Sequence, residues 1–241
     1  MKATRLEYRF RFALHALLYV LGFTAPWASR SSLAAKSTWV TIASVFSQHR
    51  WLHFLAAIDM LLVLAILFTL LGAFFRVWGS AYVGSSVVAS REMHSERMLA
   101  DGPYRRTRNP LYLGTLLHTV GISLLMPLSG AVFCIVTIWV LQIRLALAEE
   151  PFLAERFGAP YLEYCKRVPR FLPSLTPLVP AAGQRPAWLQ SLLGEFYFVA
   201  VAFVLAIWGW QFSARPLQRG LILSLGSWLV LRAFLPKPKT D

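Results

Sequence analysis

The chain has 241 residues, of which 57% are hydrophobic and only 15% charged, with a net charge of +13 and a mean hydropathy of +0.55. Soluble domains carry about 25% charged residues, so these figures exclude an ordinary water-soluble globule and indicate a polytopic membrane protein. The basic excess does not indicate nucleic acid, because the lysines and arginines stand between apolar runs, as topology signals do, and form no reader motif.

In chain order, six segments approach the roughly 20 apolar residues that a span needs: residues 10–27, 52–75, 111–128, 131–148, 192–212 and 217–234. The first is preceded by Lys2, Arg5, Arg9 and Arg11, like a signal peptide, but Pro26 and Trp27 stand where small cleavage-site residues belong. It therefore reads as an uncleaved span. Trp27, Trp51, Trp78 and Trp188 lie near segment ends, where interfacial anchors occur. With the N-terminus in the cytoplasm, 18 Lys and Arg fall on the inner side and 5 on the outer, Arg144 being inside a span. That asymmetry predicts a multi-pass protein of a bacterial-type inner membrane with both termini cytoplasmic.

The expected fold is thus all-α: a membrane bundle of about six transmembrane helices. A cytoplasmic amphipathic helix follows the fourth span, where Phe152, Leu153, Phe157, Tyr161 and Tyr164 recur at helical spacing. The Gly158-Ala159-Pro160 break divides that helix. Residues 1–75 form an N-terminal two-span region, 76–175 a polar-rich core, and 176–241 a Pro/Gly linker with two further spans. Cys134 and Cys165 read as free thiols, and the scattered histidines give no metal-ligand spacing.

Chemistry concentrates at two places. "GPYRRTRNPLYLG", residues 102–114, sets Arg105, Arg106 and Arg108 at the start of the third span, and Glu149 and Glu150 close the fourth. The uncharged turn Met126-Pro-Leu-Ser-Gly130 makes these spans a tight hairpin, so both clusters return to one surface. Two carboxylates at a helix C-terminus oppose the helix dipole, so they call either for interfacial solvation or for cationic and hydroxyl partners. Arg167 and Arg170 flank Pro169 and suit either a membrane surface or an anionic ligand. Among ionisable residues inside spans, Asp59 and Arg144 are expected to pair, and His118 to be packed or hydrogen-bonded rather than a base. His15 belongs to the same class.

These residues carry a resemblance. "GPYRRTRNPLYLG", a helical hairpin, and "EEPFLAERFGAPYLEYCKRVPRFLP" in that order resemble the isoprenylcysteine carboxyl methyltransferase family, which is related to the membrane phospholipid methyltransferases. The likeness covers roughly residues 75–173. It implies an integral-membrane, S-adenosylmethionine-dependent methyltransferase without a Rossmann unit, and no G-x-G-x-x-G occurs here. By residue match it implies Tyr104, Arg108, Asn109, Pro110, Tyr112 and Gly114 in the cofactor wall, with Glu149 and Glu150 holding cofactor polar groups. It makes Arg167 and Glu150 the catalytic candidates, and Arg167, Tyr164 and Arg170 the acceptor-binding ones. Many family members have His where this chain has Asn109, which hydrogen-bonds but takes no proton. The implied acceptor is a lipophilic small molecule or lipidated group bearing a carboxylate, thiol or amine, reached from the surrounding membrane lipids. Two other readings stay open: an NADPH-dependent reductase of a lipid double bond, with Arg105 and Arg106 on a 2′-phosphate, and a non-enzymatic membrane protein.

Overall fold

The computed structural model describes residues 2–25, 36–83, 100–211 and 214–233, and within them the chain is helical with no strand. Trp27, Arg30, Arg91, Arg97, Lys237 and Lys239 lie outside the described residues.

The chain enters through α1 (Arg5–Arg9). The Glu7 amide donates to Thr4 Oγ1 at 3.2 Å and the Thr4 amide to Glu7 Oε2 at 2.6 Å. This capping box satisfies two otherwise orphaned donors and fixes the start of a one-turn helix. After Phe10 the chain continues as α2 (Arg11–Thr24). A short α3 (Thr38–Gln48) follows, its first turn closed by the Ser37 hydroxyl. Its Thr, Ser and Gln content hides it from a search for apolar runs.

α4 (Phe54–Val83) is a continuous helix of 30 residues with no internal proline. It overruns the expected boundary at Phe75, so Arg76 lies inside a helix and not in a loop. α5 (Pro110–Ser123) begins on Pro110, whose missing N–H costs nothing in a first turn. Residues 124–127 turn the chain into α6 (Leu128–Phe157), forming the expected hairpin. α6 does not stop at Ala148: it carries Glu149 and Glu150 and runs on to Phe157. The expected amphipathic helix is therefore split. Its first half continues α6, and its second is α7 (Ala159–Arg167), with Tyr161 and Tyr164 buried and Glu163, Lys166 and Arg167 exposed. The break is Gly158, whose φ of +60° disfavours any residue with a Cβ. Beyond an irregular stretch come α8 (Trp188–Gly194), α9 (Phe196–Trp208) and α10 (Ala214–Ala233).

Among the described residues two helices, α4 and α6, are long and apolar enough to cross a membrane, and α8 with the run 196–211 is a third if that pair, bent by 70°, counts as one span. The expectation was about six spans, and two or three are found among the described residues. α2 and α5 have 14 residues each, about 21 Å at 1.5 Å per residue, against a hydrocarbon core of about 30 Å.

Close backbone approaches lock the bundle. A Cβ on Gly72 of α4 would lie 2.7 Å from the Gly114 carbonyl oxygen, and one on Gly114 would lie 2.8 Å from that of Gly72. Gly22 of α2 meets Gly130 of α6 in the same way. Small residues at such crossings let helices pack where lipid offers no hydrophobic drive. The fully buried Leu62, Ile122, Met126, Ile138 and Leu205 fill the half of the bundle remote from the polar loops. Ser37 bridges Pro127 at that far end, while α1, residues 100–110 and residues 149–187 gather at the other.

Candidate active site

The segment 102–109 is held by backbone zippering to the chain after α7. The Arg108 amide donates to Pro169 O at 2.9 Å, Ser174 N to Arg106 O at 3.0 Å, and Leu178 N to Arg105 O at 2.8 Å. Thr107 and Asn109 side chains donate to the carbonyls of Phe171 and Arg170, each at 3.0 Å. Asp101 anchors the far end of that segment by accepting from the amides of Ala182 and Gln184. Arg105 Nε donates to Val179 O at 2.8 Å, and Arg106 donates to the carbonyls of Ser174 and Leu175. These two arginines thus tie loops together, which removes the basis for setting them on a nucleotide 2′-phosphate.

Arg108 takes a different part. Its Nη1 donates to Glu150 Oε1 at 2.9 Å, and Arg170 grips the same carboxylate through Nε to Oε1 at 2.8 Å and Nη2 to Oε2 at 2.7 Å. Glu150 is therefore clamped between two guanidiniums. Its neighbour Glu149 accepts at a single oxygen, Oε1, from Tyr112 at 2.6 Å and Tyr8 at 2.8 Å. Oε2 is thus spared by both phenols. The expected meeting of the two clusters occurs because α5 and α6 are antiparallel and start and finish at the same end.

These groups form the polar mouth of a cavity of about 820 Å³. Tyr104, Arg108, Asn109, Pro110, Tyr112, Glu149 and Glu150 all line it. Gly114 does not; it is spent on the α4 crossing described above. Tyr164 does not line it either: buried, it donates to Tyr104 O at 2.8 Å and so supports the wall from behind. Burial holds the phenols of Tyr104 and Tyr164 above their ordinary range, so both are neutral donors. Arg170 acts on the cavity through Glu150. Arg167 is exposed on α7, outside the lining. The guanidinium that reaches the carboxylates is that of Arg170, because the chain straightens at Val168 and turns back across α6.

Several wall residues escaped the sequence reading. Arg76 of α4 and Glu195, between α8 and α9, form a bidentate pair (Nε to Oε2 and Nη2 to Oε1, both 2.8 Å), with the Arg76 guanidinium 4.6 Å from the Phe198 ring centre. Their side chains are 11% and 2% exposed. The available signal was an arginine within an apolar run, which by itself calls for a partner. His15, named with the ionisable residues inside spans, bonds Gln142 at 3.0 Å, and both line the cavity. Arg144 does not pair with Asp59; it donates to Glu7 through Nε at 3.2 Å and Nη2 at 2.7 Å, while Asp59 is exposed. The α1 capping box delivers Glu7 to that position, and Asp59 belongs to the far half of α4. His118 is fully buried, edge-on to Phe198 at 4.7 Å, as expected for a packed histidine.

Below the mouth the wall turns apolar. Val20 and Phe23 of α2 and Ile222 and Leu225 of α10 line it and are exposed. α8–α10, for which the sequence offered no role, supply a third wall through Glu195, Tyr197, Phe198, Ile222, Leu225 and Trp228.

A charged mouth formed by a helical hairpin, leading into an apolar chamber, suits an amphiphilic ligand. Comparison with known proteins makes this specific. Residues 60–160 match the phospholipid methyltransferase family. The chain is 30% identical over 149 residues to protein-S-isoprenylcysteine O-methyltransferase of Rattus norvegicus, covering 59% of this chain and 50% of that protein. It is 34% identical over 85 residues to protein-S-isoprenylcysteine O-methyltransferase B of Arabidopsis thaliana (34% and 42%), and 32% identical over 111 residues to the Saccharomyces cerevisiae enzyme (44% and 46%). No solved structure matches. The central segment is thus similar to the phospholipid methyltransferase family and to protein-S-isoprenylcysteine O-methyltransferases. The chain spans about half the length of the curated relatives it matches.

Proposed function

We propose that the protein is an integral-membrane methyltransferase that transfers a methyl group from S-adenosylmethionine to a lipophilic acceptor, best read as a prenylcysteine-like carboxylate. The observation that carries this reading is the cavity itself. Its polar mouth is built largely from residues of the family segment, and its apolar remainder is lined by α2 and α10. The distribution of Lys and Arg supports a mouth on the cytoplasmic face.

The residues present fit the donor. Carboxylates and tyrosine faces suit a ligand that carries both a sulfonium and an ammonium, and Glu149 Oε2 is spared by the two phenols that hold Oε1. S-adenosylmethionine, when bound, supplies a methyl group activated by a sulfonium. Around it, Tyr104, Asn109 and Tyr112 form the wall and Glu149 accepts from donor groups. Arg108 and Arg170 hold Glu150 in one orientation, and this is the part we assign to Glu150 and Arg170. The apolar chamber excludes water and aligns the acceptor, and for an in-line displacement alignment is the main requirement. Arg167, on the exposed side of α7, is assigned to contacts with the membrane surface.

The test is calorimetric titration of S-adenosylmethionine and S-adenosylhomocysteine into detergent-purified protein, with NADPH as control and Glu150→Gln beside wild type. Binding of both methyl-donor forms, weakened about tenfold or more by the loss of the clamped charge, is the expected result. NADPH binding in their place would transfer the case to a reductase.

A further inference from the structure

Tyr8 is a wall shared by two cavities. On one side it lines the large cavity and donates to Glu149 Oε1 at 2.8 Å. On the other it lines a cleft of about 160 Å³ between the N-terminal segment and α6, bounded by Lys2, Thr4, Arg5, Ala148 and Pro151. This cleft is lined by two cations and no carboxylate. The acidic groups of the two elements that flank it are already engaged, Glu7 by Arg144 and Glu149 by Tyr8 and Tyr112. Among the described residues Lys2, Arg5 and Arg9 form no ion pair, and all three are exposed. Such a cleft suits an anion rich in hydrogen-bond acceptors. The side chains carry the recognition, not the helix N-terminus, whose Thr4 and Glu7 amides the capping box occupies.

The outer side of the same segment says where the anion comes from. Leu6, Phe10, Ala13 and Leu17 are exposed and recur at i, i+4, i+7 and i+11, so the outward apolar stripe of α2 continues through α1. Leu6 is 67% exposed and Phe10 50%, and Arg5 and Arg9 occupy the adjoining row. Cations flanking a continuous apolar stripe are the pattern of a helix that lies in a bilayer interface and attracts anionic headgroups. The inner side is fastened to α6 at three points: Ala3 N donates to Arg144 O at 3.0 Å, Arg144 holds Glu7, and Tyr8 holds Glu149. We propose that this segment binds an anionic membrane phospholipid and thereby holds Tyr8 against Glu149. Lys2 and Arg5 take the headgroup phosphate in the cleft, Arg9 adds charge beside it, and Leu6 and Phe10 enter the acyl chains. Lipid and methyl donor are then coupled through one tyrosine: the lipid that fixes α1 orders the donor site, and by linkage the donor strengthens the lipid site. The coupling rests on the proposed methyltransferase reading; the lipid site does not.

The experiment uses the full chain in nanodiscs of phosphatidylcholine alone or of phosphatidylcholine mixed with phosphatidylglycerol. Hydrogen exchange of residues 2–10, read by mass spectrometry with no other ligand present, should be about fivefold or more slower in the anionic discs. Lys2→Gln/Arg5→Gln/Arg9→Gln, which keeps Glu7 and Tyr8, should exchange alike in both. S-adenosylhomocysteine, titrated by calorimetry, should bind wild type about fivefold or more tightly in the anionic discs. That gain should vanish in the triple variant and in Tyr8→Phe. Equal exchange of wild type in both discs overturns the lipid site without any variant having to fold. So does a triple variant that still responds, or the same protection from inorganic phosphate added to the neutral discs. Slowed exchange with a donor affinity that ignores the lipid overturns the coupling through Tyr8. Failure to bind S-adenosylhomocysteine in any disc refutes the methyltransferase reading, and the exchange result still decides the lipid site.

Discussion

Glu195→Gln tests whether the C-terminal helices are a structural part of the cavity. Arg76 and Glu195 are 119 positions apart, both buried, and joined by two bonds of 2.8 Å. Replacing the carboxylate leaves a largely buried guanidinium without its anion. Breaking a buried pair in this way costs about 3–5 kcal/mol. At about 2–4 °C per kcal/mol for a chain of this length, the melting temperature should fall by about 6–20 °C. The double variant Arg76→Met/Glu195→Leu removes both charges and should recover most of the loss, since a well-packed apolar pair is often no worse than the ion pair. Cys134 is a natural reporter, fully buried among the helices. In a Cys165→Ser background, a maleimide dye that fluoresces on thiol addition reads its exposure during a thermal ramp in detergent. A fall of less than about 2 °C, or a double variant as damaged as the single one, would refute the reasoning, because then the uncompensated charge is not what the fold opposes.

Three further outcomes are expected. Gly72→Ala puts a methyl group 2.7 Å from the Gly114 carbonyl oxygen, so the same thermal ramp should show a loss of about 1–3 kcal/mol; an unchanged midpoint would show that α4 and α5 can part at no cost. Arg170→Ala should weaken S-adenosylhomocysteine binding by releasing Glu150, and Arg167→Ala should leave it within about twofold; the reverse order would move the functional arginine to α7. The Arg144 guanidinium, followed by the Thr4 amide, lowers the Glu7 carboxyl from 4.5 to about 2. A depressed folded-state pKa stabilises the protein above the unfolded value and loses that contribution as pH falls. The stability gap between wild type and Glu7→Gln should therefore be constant above about pH 5, shrink below 4.5 and close near 2; a gap that persists at pH 2 would show that the ionised carboxylate is not its source.

Much of this molecule is legible along the chain, and for one reason: those features are local. The helical class follows from apolar runs and their lengths, the α5–α6 hairpin from the short uncharged turn at 126–130, and the break at Gly158 from its Gly-Ala-Pro sequence. The motif residues Tyr104, Arg108, Asn109, Tyr112, Glu149 and Glu150 were readable because each lies in a contiguous signature, and they line one cavity. Hydropathy does not say where a helix that remains favourable will stop, so α4 and α6 each outran their expected ends. Pairing across the chain is another matter. The sequence reading paired Asp59 with Arg144 and set Arg167 in the site, while Glu7 and Arg170 offer the same charges and are the ones that pair. Only the tertiary structure chose, by the path of the backbone. The α1 cap brings Glu7 to Arg144, the turn after Val168 brings Arg170 to Glu150, and the 70° bend at the α8–α9 junction brings Glu195 to Arg76. A buried ion commits to whichever partner lies within about 3 Å, and that distance is a property of the packed bundle and not of the sequence order.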